Sequence, residues 1–276
     1  MLTIGACPRP DARSLERSAA GDGWQEARCA FIMSTGRVGT MSLVKILGLS
    51  PDVVAYHEPA PRCEVEHKEA YQQLGGSLEG YRPLFAWARA EPIRAARTEG
   101  LLYAEHGYWT PFTDLIAEML PNARFINPVR HPGEFIRSGM RRGWFAGHVC
   151  DPIRPVPAPG TPAAEAWEGW SRFEKVVWVW EMISSHLLSC QRRYGPDRWR
   201  VLRFEEWTRP GFRGWGDLFE WLGVRAPSET QIVQAVRKPE NTQNRGEFPK
   251  YPDWSDEQKD QLRRIAGRTM AQLGYE

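Results

Sequence analysis

The sequence predicts an α/β protein with a central parallel sheet and helices on both faces. Three observations lead there. Short apolar runs at residues 30–33, 53–56, 101–104, 123–129 and 199–204 alternate with segments of helical periodicity. Two of the runs break into turns bearing arginine (Ser34 to Gly39 and Arg130 to Pro132) that open helices. The chain has 276 residues, 42% of them apolar and 25% charged, ordinary for one large globular domain.

Residues 1–25 hold Pro, Gly, Ser and charges without a signal-peptide core, and read as a loose leader. The run 30–33 is a buried strand, and a helix is expected over 38–47. The strand at 53–56 ends in His57-Glu58-Pro59. A helix over 84–97 precedes the strand at 101–104, which ends in Glu105-His106. After a helix over 111–120, the strand at 123–129 runs into Arg130-His131-Pro132 and a helix over 133–142. Residues 147–162 include five prolines, a composition that blocks regular structure. The segment reads as a surface loop or as a lid over a binding pocket. A long helix over 163–194 carries Trp170, Trp178 and Trp180, read as core in preference to a binding surface. The last strand, 199–204, leads into Phe204-Glu205-Glu206.

Composition excludes several classes. A net charge of +2 is too small to make nucleic acid or an anionic membrane the main partner. The five cysteines are widely spaced without a Cys-x-x-Cys pair, so neither a zinc site nor a disulfide framework is indicated. No run approaches eighteen apolar residues, so no membrane span is expected. These features predict a soluble, cytoplasmic protein.

The two turns carry the chemistry. In Ser34-Thr35-Gly36-Arg37-Val38-Gly39-Thr40-Met41-Ser42, glycines let backbone N–H groups approach an anion, and the helix N-terminus adds partial positive charge. Arg37, Thr40 and Ser42 add a cation and hydroxyls. The turn is not a Walker A loop, because no Gly-Lys-Ser/Thr follows. Arg130 at a strand end and Ser138 two turns into the next helix form a second phosphate site.

This pair of loops resembles the sulfotransferase family. Arg37-Val38-Gly39-Thr40-Met41 is similar to its first signature, and Arg130-His131-Pro132 with Ser138 eight residues on is similar to its second. The resemblance implies a P-loop NTPase-like sulfotransferase fold, as one domain over 26–276 with an insertion near 147–162. It implies 3′-phosphoadenosine-5′-phosphosulfate (PAPS) as co-substrate, 3′-phosphoadenosine-5′-phosphate (PAP) as product, and no metal. By residue matching, the loop Ser34, Thr35, Gly36, Arg37, Val38, Gly39, Thr40 and Met41 cradles the 5′-phosphosulfate, and Arg130 and Ser138 hold the 3′-phosphate. Met41 and Ser42 stand where the cytosolic animal branch has threonine and tryptophan, and His131 stands where aspartate is usual. The base that takes the acceptor proton is Glu58, His106 or His57, all at strand ends, with Arg37 as the catalytic cation. Phe204 matches an aromatic residue near the adenine. Arg237-Lys238 resembles an element that closes over the 3′-phosphate, with Pro239 in place of its glycine, and Asn241, Asn244 and Arg245 follow. The acceptor is a small molecule or glycan offering a hydroxyl or amine. Competing readings are a P-loop kinase or nucleotide hydrolase using ATP and magnesium, and a non-catalytic nucleotide-binding protein.

Overall fold

A computed structural model describes residues 23–237 and 246–276, with Arg237 described in its backbone only. The strands are β1 (Cys29–Ile32), β2 (Val53–His57), β3 (Leu102–His106), β4 (Arg124–Val129) and β5 (Trp199–Arg203). They pair in the order β2-β3-β1-β4-β5, and every pairing is parallel. Each predicted apolar run is a strand, with ends moved by one or two residues.

The helices in chain order are α1 (Thr40–Leu47), α2 (Glu64–Tyr71), α3 (Arg82–Thr98), α4 (Thr113–Met119), α5 (Pro132–Arg141), α6 (Pro162–Ala166), α7 (Arg172–Arg198), α8 (Phe204–Trp207), α9 (Gly214–Leu222), α10 (Glu229–Arg237) and α11 (Asp256–Gln272). Successive strand residues point to opposite faces, which divides the core in two. Ala30 and Ile32 pack with apolar residues of α1, α9 and α10. Cys29 and Phe31 pack with those of α3, α4, α5, α7 and α11. A strand buried on both faces needs a continuous apolar run, and β1 has one.

Several expectations need correction. The helix expected over 163–194 is two helices. Ser171 starts α7 with a capping box, in which the Ser171 N–H donates to Glu174 Oε2 at 2.8 Å and the Glu174 N–H to Ser171 Oγ at 3.3 Å. That same helix breaks at Gly195, whose φ of 61° is left-handed. The helix expected from Val38 begins at Thr40, because Gly39 takes φ 79°. The leader was expected to reach residue 25, yet Trp24 is fully buried and packs on Phe85. Packed structure therefore begins before Glu26.

The proline-rich segment is organised by one carboxylate. Asp151 accepts from the N–H groups of Phe145, Gly147 and His148 and pairs with Arg154 at 2.9 Å. Of the three tryptophans read as core, Trp180 is buried. Trp170 and Trp178 are half-buried and form an aromatic group with Trp167, which also touches Phe145. No helix among the described residues is long and apolar enough to cross a membrane.

Candidate active site

At the carboxyl edge of the sheet, β1 and β4 lie side by side, and their following loops diverge. The first leads to α1 on one face, the second to α5 on the other. Such a switch point leaves a crevice between the strands, where open α/β sheets bind ligands.

The first loop is held in an unusual backbone. Gly36, Arg37 and Gly39 all have left-handed φ, at 74°, 59° and 79°. A Cβ on Gly39 would lie 2.8 Å from the Phe204 ring and 2.9 Å from that of Trp207, so only glycine fits. Arg37 has no such freedom, and strain of this kind concentrates at functional sites. The Gly36 N–H donates to Ser34 Oγ at 3.1 Å, and the Ser34 N–H donates to Thr110 Oγ1 at 3.2 Å. Thr35 Oγ1 donates to the Gly36 carbonyl at 3.0 Å, and Val38 is buried as an anchor. Among the described residues no side chain caps α1. Its first N–H groups, on Thr40, Met41 and Ser42, have no intrahelical acceptor and face the crevice end of the helix.

Across the crevice, Arg37 Nε donates to Ser138 Oγ at 3.1 Å. Arg130 donates to the Arg37 carbonyl at 3.3 Å, pairs with Glu134 at 3.1 Å, and lies 4.2 Å over the Phe204 ring. Ser138 was expected beside Arg130; its hydroxyl instead meets Arg37, and the three side chains form one cluster. Burial, followed by the like charges of Arg142 and Arg130, lowers the Arg37 pKa to about 10, with Glu58 opposing. Burial also lowers that of Arg130, against the pull of Glu134 and Glu205. Both remain cations at neutral pH. Two partly desolvated guanidiniums held together favour an anion between them.

His131 performs the capping that an aspartate would. Its Nδ1 accepts from the Gly133 N–H at 3.0 Å at the start of α5. Its own N–H donates to Glu205 Oε1 at 2.8 Å, tying the second loop to the helix that follows β5.

The three base candidates come together. His57 and His106 are register partners on β2 and β3, and their rings stack with centroids 4.9 Å apart. His57 Nε2 lies 3.1 Å from Thr40 Oγ1, and His106 Nε2 lies 3.2 Å from Ser34 Oγ, so both rings touch the first loop. Glu58, at φ 48°, donates its N–H to the His106 carbonyl at 2.6 Å. One nitrogen of each ring and a Glu58 carboxylate oxygen all lie within 4.8 Å of one another.

Burial lowers the His106 pKa to about 3, with His57 and His67 adding to the effect, so the ring is neutral. Its neighbour Glu105 is fully buried and structural. Glu105 accepts from Arg89 Nε at 2.7 Å, Tyr103 Oη at 2.6 Å and Trp109 Nε1 at 2.7 Å. Burial alone would lower the Arg89 pKa; the adjoining Glu105 charge outweighs it and leaves that pKa raised.

Thr110, Glu134 and Glu205 belong to this framework and were not singled out from the sequence as site residues. Glu134 stands four residues from Arg130, a spacing that signals an ion pair. Nothing local marks Thr110 or Glu205. Lys238, Asn241, Asn244 and Arg245 lie outside the described residues, as does the Arg237 side chain.

No family model matches the chain, and no curated protein matches it. Solved structures do match. A Mycobacterium avium sulfotransferase aligns with a TM-score of 0.57 at 12% identity, over 96% of this chain and 80% of that one. An Alicyclobacillus acidocaldarius sulfotransferase gives 0.50 at 16% identity, over 90% and 96%. The sulfotransferase domain of the Synechococcus PCC 7002 olefin synthase gives 0.50 at 17% identity, over 91% and 96%. At such identities the likeness is one of architecture, and this chain, with its all-parallel β2-β3-β1-β4-β5 sheet, has the sulfotransferase fold.

Proposed function

We propose that the chain is a PAPS-dependent sulfotransferase acting on a hydroxyl or amine of a small molecule or glycan. The observation that carries this reading is the Arg37–Ser138–Arg130 cluster beside the uncapped N-terminus of α1. A donor with phosphates at both the 5′ and 3′ positions needs two anion sites, and the two loops offer one each. The N–H groups of Thr40, Met41 and Ser42 bind the 5′ end, while Arg130 and Ser138 bind the 3′-phosphate. Phe204, already stacked on Arg130, borders the place for the adenine. An ATP–magnesium reading is not favoured, because the first loop has no lysine and β4 runs into Arg130 where a metal-holding acid would stand.

PAPS supplies a sulfuryl group on a good leaving phosphate. The acceptor oxygen or nitrogen forms a bond to sulfur as the bond from sulfur to the bridging oxygen breaks, and PAP leaves. Arg37 stabilises the charge that gathers on the bridging oxygen. Glu58 takes the acceptor proton. His106 is the less accessible base: it is buried, burial lowers its pKa to about 3, and its Nε2 already meets Ser34 Oγ at 3.2 Å. His57 and His106 instead brace the first loop through Thr40 and Ser34.

A thermal-shift comparison tests the donor class. PAPS and PAP should each raise Tm strongly, and ATP with magnesium should do so weakly. A shift with ATP and magnesium that exceeds the shift with PAP would reject the reading.

A further inference from the structure

A cavity of about 410 Å³ opens at the opposite edge of the sheet, where β1, β3 and β4 begin. That volume lies in the range of small-molecule sites. Arg28, Arg124 and Arg198 stand in its wall with Leu102 and Leu222, and Arg200 lies next to them. Arg28 donates to the Leu222 and Gly223 carbonyls at 2.9 and 2.7 Å, and Arg198 donates to those of Ala123, Leu120 and Ala117. Arg124 and Arg200 each lie 5.3 Å from the Trp221 ring. These contacts orient the guanidiniums without neutralising them.

Among the described residues, none of these four arginines forms an ion pair with a carboxylate. Two acids stand nearby. Asp197 is in the wall, and Asp52 is held by Arg225 in a two-pronged pair at 2.6 and 2.9 Å. Burial and the charges of Arg28 and Arg200 lower the Arg124 pKa, so the like charges act on one another.

We propose that this cavity at the amino edge is a second anion-binding site, taking a small molecule that bears a phosphate or sulfate ester. Guanidinium forks match the oxygens of such groups. The site stands apart from the carboxyl-edge crevice and does not depend on the sulfotransferase reading.

Calorimetric titration with inorganic pyrophosphate tests it on three proteins: wild type, Arg130→Ala, and the double variant Arg124→Gln/Arg200→Gln. Each exchanged arginine stacks on Trp221, and neither makes a side-chain hydrogen bond or ion pair among the described residues; denaturant unfolding checks that the fold survives, and Arg28→Gln is the substitute if it does not. The expected result is a binding event kept in Arg130→Ala and weakened about tenfold or more in the double variant. Inorganic phosphate and sulfate are then titrated, and binding of either supports the site, the tighter one naming the ester. Pyrophosphate binding that persists undiminished in the double variant would overturn the proposal. So would no binding up to about 10 mM.

Discussion

Replacing Glu58 with glutamine keeps the size of the side chain and removes its capacity to accept a proton. A positioned general base contributes about 10²–10⁴ in rate, so kcat should fall by that factor while nucleotide affinity stays near wild type. The matched control is His106→Asn, in which an amide can keep the contact to Ser34 Oγ, 3.2 Å from the ring in the native protein. His106 is buried, its pKa is lowered to about 3, and its Nε2 already lies 3.2 Å from Ser34 Oγ, so it is poorly placed to receive the acceptor proton. His106→Asn should therefore lose less than about tenfold in kcat, through disturbance of the loop. The assay is single-turnover transfer from radiolabelled PAPS to an acceptor found by library screening. A dead His106→Asn enzyme beside a near-normal Glu58→Gln enzyme would refute the reasoning and make His106 the base.

Three further outcomes follow from the packing. Gly39→Ala forces a Cβ against the Phe204 and Trp207 rings at a left-handed φ; a loss of about 2–4 kcal/mol in denaturant unfolding is expected, together with loss of PAP binding. Glu105→Gln leaves the buried Arg89 guanidinium without its counter-charge, at about 3–5 kcal/mol, which calorimetry should read as a Tm lower by roughly 6–15 °C; a change under about 2 °C would contradict it. His67 and His106 are both buried with pKa values lowered to about 3, against an unfolded value near 6.5. The folded state thus binds fewer protons than the unfolded one between those values. Their contribution is intact above pH 6.5 and is lost as pH falls toward 3. Between pH 7 and 5 the two together should cost roughly 4 kcal/mol in urea unfolding, and His67→Asn should flatten that dependence.

The strands were legible because a parallel sheet covered on both faces needs apolar runs, and each run supplied one. The first loop was legible because glycine and arginine interrupt such a run at its carboxyl end. Three things were hidden for physical reasons. The pairing of Arg37 with Ser138 depends on where α5 packs against the crevice, which spacing along the chain does not encode. The stacking of His57 on His106 follows from strand register, set by residues 49 positions apart. The break between α6 and α7 was encoded, in Ser171-Arg172-Phe173-Glu174, but the tryptophan-rich helical pattern around it masked the capping signal. Glu105 stands beside the base candidate His106 at the same strand end. Only its three buried donors distinguish a structural carboxylate from a working one.

The most direct measurement is the affinity of the protein for PAP against adenosine 5′-phosphate, in wild type and Arg130→Ala. A charged hydrogen bond to the 3′-phosphate is worth about 1.5–3 kcal/mol, so wild type should prefer PAP by roughly 10- to 150-fold. Arg130→Ala should erase most of that preference and leave the affinity for adenosine 5′-phosphate largely unchanged. Equal affinity of the wild-type protein for the two nucleotides would contradict the account.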